Sequence, residues 1–560
     1  MFRYKQKHYV PVLDRLIFAL TLSSAAILTT GCANQIKLAE LSEKCDKNSS
    51  IEKLKSPAYQ AKTYYKENYS ESEDESDNDA HENCSVSVKQ IGLSNNSEPY
   101  KTFREAIDTR QCFHDAVLAF HSWETEHSLY LLDIEKPKKN SVRPYQITSN
   151  PQGSTPRFIP SLFSSTNPLD KDAVSGTETY LKKTLNDDRS MVLTHILKVK
   201  STAKSNKNSE CFVYDAYANT EPNNNHPWCS NHKANDSKQS SNEKWTENGW
   251  QALDKLGNEI RAEINKKSQQ NKMPTHIILL ATGWNTREYE SFLDFKKWMD
   301  ELKKNFEINN EPFNPIYIGI ASELEWANFS LLLSERTKER DADEIGFTWA
   351  NYLLNSVLKP IAKETGIQLV GIGHSFGSRI IFGAHYTRHI YSGYSESMED
   401  VPITIIGMQA AFPTGRFSST RGGSDTRKWW RRGYQANPYL TANKGAATVV
   451  ITTSNSDAAT GSFLTTSGYW ETGFIGGRGG LSELENYPED YKTAIRKLEA
   501  DENGKISNVP DINLVSLYDA SNFVNCEIPP TTSGSHSDVY DEQMGNFLGQ
   551  IIRASSNKQN

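Results

Sequence analysis

Ile367-Gln368-Leu369-Val370-Gly371-Ile372-Gly373-His374-Ser375-Phe376-Gly377-Ser378-Arg379 is the stretch on which the fold turns. It reads as a short apolar strand, a glycine-flanked serine, and the start of a helix continued by Ile380, Ile381 and Phe382. Gly373 to Gly377 has the G-x-S-x-G spacing of a sharp strand-to-helix corner that holds its serine in strained backbone geometry. The flanking glycines have a steric reason, because a Cβ at either place would crowd the strand or the helix meeting there. Ser375 Oγ is therefore expected to stand clear at the end of a sheet.

Working outward, apolar runs at residues 276–281, 315–321, 403–408, 447–452 and 512–517 read as strands. Helical spacing separates them. One helix is expected over residues 253–267 and another over 287–306, with Phe295, Met299, Leu302 and Phe306 on one face and Asn285 and Glu288 spaced as a capping box. A third carries Trp349, Leu353, Val357 and Ile361 in register, with Pro360 as a kink and Gly366 as its stop. The elbow strand follows, and a last helix is expected over residues 541–552. Strands alternating with helices, each strand continuously apolar, predict a mostly parallel α/β sheet covered on both faces. Residues 128–134 and 191–199 add two leading strands, separated by polar runs that read as surface insertions.

Strand, elbow and helix in this order resemble the alpha/beta-hydrolase fold, over roughly residues 250–555. The resemblance implies a serine, an Asp or Glu, then a histidine in chain order, each at a strand's carboxyl end. Ser375 takes the nucleophile position. Asp457, on the loop after the 447–452 strand, takes the acid position, with Asp519 and Asp538 as nearby alternatives. His536, in Gly534-Ser535-His536-Ser537-Asp538 just before the closing helix, takes the base position. His374 is set aside as a residue that packs or hydrogen-bonds locally. The oxyanion hole would use the backbone N–H of Phe376, at the start of the elbow helix, and that of Trp284. Thr282-Gly283 stands where family members often have His-Gly. The function so implied is hydrolysis of carboxylic esters, of lipase, phospholipase or carboxylesterase type, through an acyl-enzyme and with no cofactor. Aromatics and arginines in residues 412–445 and 461–482, including Trp429, Trp430, Arg431, Tyr469 and Trp470, would suit a lid over a lipid-like ester.

The chain begins with Lys5, Lys7 and Arg15, an apolar stretch over residues 16–28, and Thr29-Thr30-Gly31-Cys32. That stretch is too short for a stable membrane span and suits an export signal. The small residues before Cys32 resemble a bacterial lipoprotein cleavage box, which implies lipidation at Cys32. Thr29 departs from the usual leucine, so cleavage without lipid stays open. Ala33 is not an aspartate, and by resemblance the anchor faces the outer membrane. Residues 1–32 thus read as signal, 33–100 as an acidic tether, 101–250 as leading strands and insertions, and 251–555 as the catalytic core. Setting Cys32 aside leaves six of the seven cysteines, an even number that suits disulfides in an oxidising compartment, with Cys211–Cys229 the favoured pair. No C-x-x-C spacing occurs, and His385 with His389 one turn apart gives no metal site on its own. The net charge of −7 argues against nucleic acid as the main partner. A competing expectation is a non-catalytic surface lipoprotein that uses a hydrolase scaffold for binding.

Overall fold

The computed structural model describes residues 124–136, 145–147, 156–161, 178, 180–186, 190–201, 212–215, 242–283, 288–323, 331–413, 447–457, 459–460, 474–477, 495–511, 514–525 and 535–557. Cys32, the acidic tether, all seven cysteines, Trp284 and Asn285 lie outside them, as does most of both aromatic inserts.

Within the described residues the chain is α/β, with one mostly parallel sheet. Its strands are β1 (Glu124–Thr125), β2 (Ser128–Glu135), β3 (Val192–Ser201), β4 (Phe212–Asp215), β5 (His276–Ala281) and β6 (Pro315–Glu323). They continue with β7 (Gln368–His374), β8 (Ile403–Met408), β9 (Ala447–Thr453), β10 (Ile495–Glu499) and β11 (Val515–Asp519). The order is β1-β3-β2-β6-β5-β7-β8-β9-β11-β10, with β4 pairing beside β3. All pairs from β2 to β10 are parallel, and β3 runs antiparallel to β2 and β4. The last long strand begins at Val515, later than the expected 512, and β10 was not expected at all.

The covering helices are α1 (Asn242–Gln269), α2 (Glu288–Ile308), α3 (Leu331–Ile345), α4 (Lys359–Thr365), α5 (Phe376–Tyr386) and α6 (Glu542–Asn557). The helix α1 runs through residue 250. Period-two alternation assigns the faces. Along β5, Ile277, Leu279 and Ala281 join the core under α1, α3 and α5. Ile278 and Leu280 join the opposite core, with Phe295 and Trp298 of α2 and Phe547 and Leu548 of α6. Between α3 and α4 the helix widens into two π segments, Gly346–Ala350 and Leu353–Leu358, immediately before Pro360. A proline ring clashes with the carbonyl four residues back, and the wider turn ahead of it relieves that clash. Gly366, at φ +69°, then closes α4 in the left-handed region.

This order puts a topological switch between β5 and β7. The chain leaves β5 for β6 on one side, and leaves β7 for β8 on the other. In open α/β sheets the crevice at the carboxyl ends of two such strands is where ligands bind. Thr282-Gly283 and Ser375 emerge there. Among the described residues, no helix is long and apolar enough to cross a membrane.

Candidate active site

Ser375 has φ 54° and ψ −123°, a conformation that a residue with a side chain rarely adopts. Its surroundings impose it. The Ser375 N–H donates to the Met408 carbonyl at 3.0 Å, and the Ala411 N–H donates to the Ser375 carbonyl at 3.2 Å. A four-residue turn after β8 therefore clasps both peptide groups of the serine. The elbow glycines act as the sequence required. A Cβ on Gly373 would lie 2.4 Å from Ser378 N, and one on Gly377 would lie 2.1 Å from Ala281 O. Only with both side chains absent does α5 leave the sheet so close to β5. Phe376 is the first residue of α5, so its N–H belongs to the first turn, where the helix dipole favours negative charge.

On the other side of the switch point, a Cβ on Gly283 would meet Ser375 Cβ at 2.6 Å and Ser375 Oγ at 3.2 Å. The loop after β5 therefore passes so close to the serine side chain that only glycine fits there. Thr282 Oγ1 and Ser291 Oγ, 2.8 Å apart, fasten this loop to α2. Trp284, the expected second oxyanion donor, lies outside the described residues.

His536 stands on the one-turn helix Ser535–Ser537, just ahead of α6. Its Nδ1 lies 2.8 Å from Asp457 Oδ2. Its backbone carbonyl is 2.8 Å from His374 Nε2, and the two imidazoles pack with ring centroids 4.7 Å apart. His374 precedes Ser375 directly, so this packing brings His536 beside the elbow. The loop that carries His536 is held from behind as well: Trp298 Nε1–H donates to the Val539 carbonyl at 2.8 Å and its ring stacks on Tyr540. Asp541 caps α6, accepting from Met544 N–H at 2.8 Å, while burial and then the Asp538 charge push its carboxyl up to about 7.

Asp457 is fully buried and accepts four hydrogen bonds. Besides His536, the donors are the backbone N–H groups of Ala459 at 2.9 Å and Thr460 at 3.1 Å, and Thr460 Oγ1 at 2.5 Å. Four donors thus fix the orientation of the carboxylate. The alternative acids are engaged elsewhere. Asp519 Oδ1 accepts from Ser521 N–H, and Asp538 Oδ2 accepts from Asn525 N–H. Asp457 and His536 are thus joined by a hydrogen bond, while His536 meets the elbow through His374 and makes no hydrogen bond to Ser375 Oγ among the described residues. His374, set aside from the sequence, has a local role, bonding the carbonyl of His536.

Two features of this edge escaped sequence reasoning. Gln409, inside the clasping turn, is fully buried at φ 39°. Among the described residues, neither Oε1 nor Nε2 of its carboxamide has a hydrogen-bond partner. The only available signal was a glutamine directly after a strand as apolar as β8. The second feature is a buried cluster of Asp133, His195 and Glu288, whose spacing is within reach of a metal ion. His195 Nε2 lies 2.6 Å from Glu288 Oε1, whereas its Nδ1 faces Asp133 Oδ2 at 3.9 Å. Thr194 Oγ1 lies 3.2 Å from the same Nδ1. The contact between His195 and Glu288 ties β3 to the first turn of α2.

No protein-family model matches the chain, and no curated protein and no solved structure matches it either. The functional reading rests on the chemistry of this edge.

Proposed function

We propose that the chain is a serine hydrolase of alpha/beta-hydrolase type that cleaves carboxylic esters through an acyl-enzyme. The observation that carries this reading is the His536–Asp457 hydrogen bond, made beside a serine in strained left-handed geometry. A serine hydroxyl is a weak nucleophile at neutral pH and needs an adjacent base. His536 Nε2 takes the proton as Ser375 Oγ attacks the ester carbonyl. Asp457 holds the ring with its proton on Nδ1 and stabilises the imidazolium. The tetrahedral oxyanion is met by Phe376 N–H and by a backbone N–H of the loop after β5, with Trp284 the choice by position. Collapse expels the alcohol, protonated by His536. Water, activated by the same imidazole, then releases the acid. An ester or lipid substrate and anchorage of the exported chain by lipid on Cys32 complete the proposal, with the outer membrane as its site.

Ser375→Ala is expected to lower turnover of short p-nitrophenyl esters by about 10⁶, the scale seen when a catalytic serine is removed, with thermal unfolding unchanged. A fluorophosphonate probe is expected to label Ser375. Labelling at another serine, or undiminished turnover in Ser375→Ala, would refute the reading, and a parent protein that neither turns over esters nor takes the label would favour a non-catalytic scaffold.

A further inference from the structure

His374 is the last residue of β7 and shares a sheet face with Ile372, the face that α2 and α6 cover. Its ring is buried, and its two nitrogens meet different groups. Nε2 lies 2.8 Å from the His536 carbonyl oxygen, and Nδ1 lies 3.5 Å from the Tyr540 hydroxyl. A carbonyl oxygen can only accept, so His374 carries a proton on Nε2. The ring also packs on the His536 imidazole, with the two planes inclined at 38°.

The other ties of His536 and its loop run away from the elbow. Asp457 Oδ2, at Nδ1, sets how the imidazole is turned. Ser535 N–H bonds the Ser456 carbonyl in the loop after β9, and Ser535 Oγ bonds the Val524 carbonyl. Trp298 of α2 holds the Val539 carbonyl on the far side. These contacts fix the loop to β9, to the chain after β11 and to α2, but not to β7. The His374 bond supplies that reference. Its donor belongs to the residue joined directly to Ser375, whose own N–H is clasped by the Met408 carbonyl. Its acceptor is the main chain of His536 itself.

We propose that His374 is a positioning residue for His536, and that its Nε2–H sets where the imidazole stands relative to Ser375 Oγ. The inference rests on the hydrolytic reading of this edge and adds to it a side chain that touches neither the ester nor the reacting atoms. A misplacement of about 1 Å between reacting groups can cost about 10²-fold in rate, so one hydrogen bond at this point has leverage on turnover. The loop keeps its remaining ties when the bond is lost, so the effect falls on kcat rather than on folding.

Three variants separate the donor from the packing. Glutamine places its amide nitrogen about where Nε2 stands, asparagine falls short of it, and phenylalanine keeps a ring against His536 with no donor. His374→Phe and His374→Asn are each expected to lower kcat for short p-nitrophenyl esters by about tenfold to 10²-fold, with KM within about twofold of the parent. His374→Gln is expected to recover kcat to within about fivefold. Should the first two fail to fold, replacing Ser537 by its α-hydroxy acid decides the matter. That change turns the His536 carbonyl into an ester carbonyl, a weaker acceptor, and leaves every side chain in place; kcat is expected to fall by about threefold or more. Unchanged kcat in the donor-less variants or in the ester, a loss carried by KM, or a loss in His374→Gln as deep as in His374→Phe would overturn the proposal. Fluorophosphonate labelling of Ser375 in the parent keeps those outcomes apart from failure of the hydrolytic reading, and a parent that takes no label overturns both.

Discussion

His536 Nδ1 lies 2.8 Å from Asp457 Oδ2, a contact made across 79 positions of sequence. Three further donors fix the carboxylate, so its orientation is set by its own loop before the imidazole arrives. That loop is tied in turn to the histidine loop: Ser454 Oγ and Ser535 Oγ both donate to the Val524 carbonyl, and Ser535 N–H donates to the Ser456 carbonyl. Asp457 and His536 therefore share one scaffold.

Asp457→Asn tests what that scaffold does. The N–H groups of Ala459 and Thr460 both point at Oδ1 and require an acceptor there, so the new NH₂ must take the place of Oδ2. A donor then faces His536 Nδ1 and forces the proton to Nε2, the tautomer that cannot accept from Ser375. Ester turnover is expected to fall by about 10⁴, the scale known for this substitution in a triad, with little change in thermal stability. A fall of less than tenfold would remove Asp457 from the acid role.

Gly283→Ala separates hydroxyl access from folding. Its Cβ would arrive 3.2 Å from Ser375 Oγ, 2.6 Å from Ser375 Cβ and 3.0 Å from the His374 carbonyl, at the carboxyl end of the sheet. Turnover is expected to drop by about 10² or more while the unfolding midpoint moves little, since a small misplacement at the reacting atom is costly. Gly377→Ala should behave in the opposite way. Its Cβ would sit 2.1 Å from the Ala281 carbonyl, inside the junction of α5 and β5, and is expected to destabilise the fold by about 3 kcal/mol. Chemical denaturation of both variants checks the contrast.

Gln409→Met is expected to stabilise the protein and impair it. A buried carboxamide with neither end satisfied costs folding free energy, and methionine fills similar volume without that cost. The denaturation midpoint should rise by an amount equivalent to about 1 kcal/mol. The turn containing Gln409 clasps Ser375 at Met408 and Ala411, so turnover is expected to fall. An unchanged midpoint together with unchanged turnover would show the carboxamide to be idle.

The sequence made the elbow legible because its constraint is steric and local: Gly373 and Gly377 are demanded by backbone approaches of 2.4 and 2.1 Å. The inner strands were legible because burial on both faces leaves little polar character to blur them, as in the run Ile277 to Ala281. β10 was not, since Ile495–Glu499 is an edge strand with Arg496, Lys497 and Glu499 exposed, and its pattern is that of a solvated loop. Asp457 could be ranked above Asp519 and Asp538 by topology, but only hydrogen-bond geometry decides among them. Gln409 carried no motif. Its character comes from lacking hydrogen-bond partners among the described residues, which no spacing along the chain encodes.

Asp541→Asn reports on the support beneath the base. Burial, reinforced by Asp538, raises the Asp541 carboxyl from its ordinary value to about 7 in the folded chain. Between about pH 4 and 7 the folded protein then holds a proton that the unfolded chain releases, so stability declines as pH rises through that window. Asparagine keeps the cap that Asp541 Oδ1 provides to Met544 N–H and removes the titration. The variant is therefore expected to gain on the parent at pH 8 relative to pH 5, read as the difference in thermal midpoint at the two values. A difference that is the same at both, or that grows on acidification, would mean that Asp541 is ionised throughout and that its charge helps to hold the start of α6.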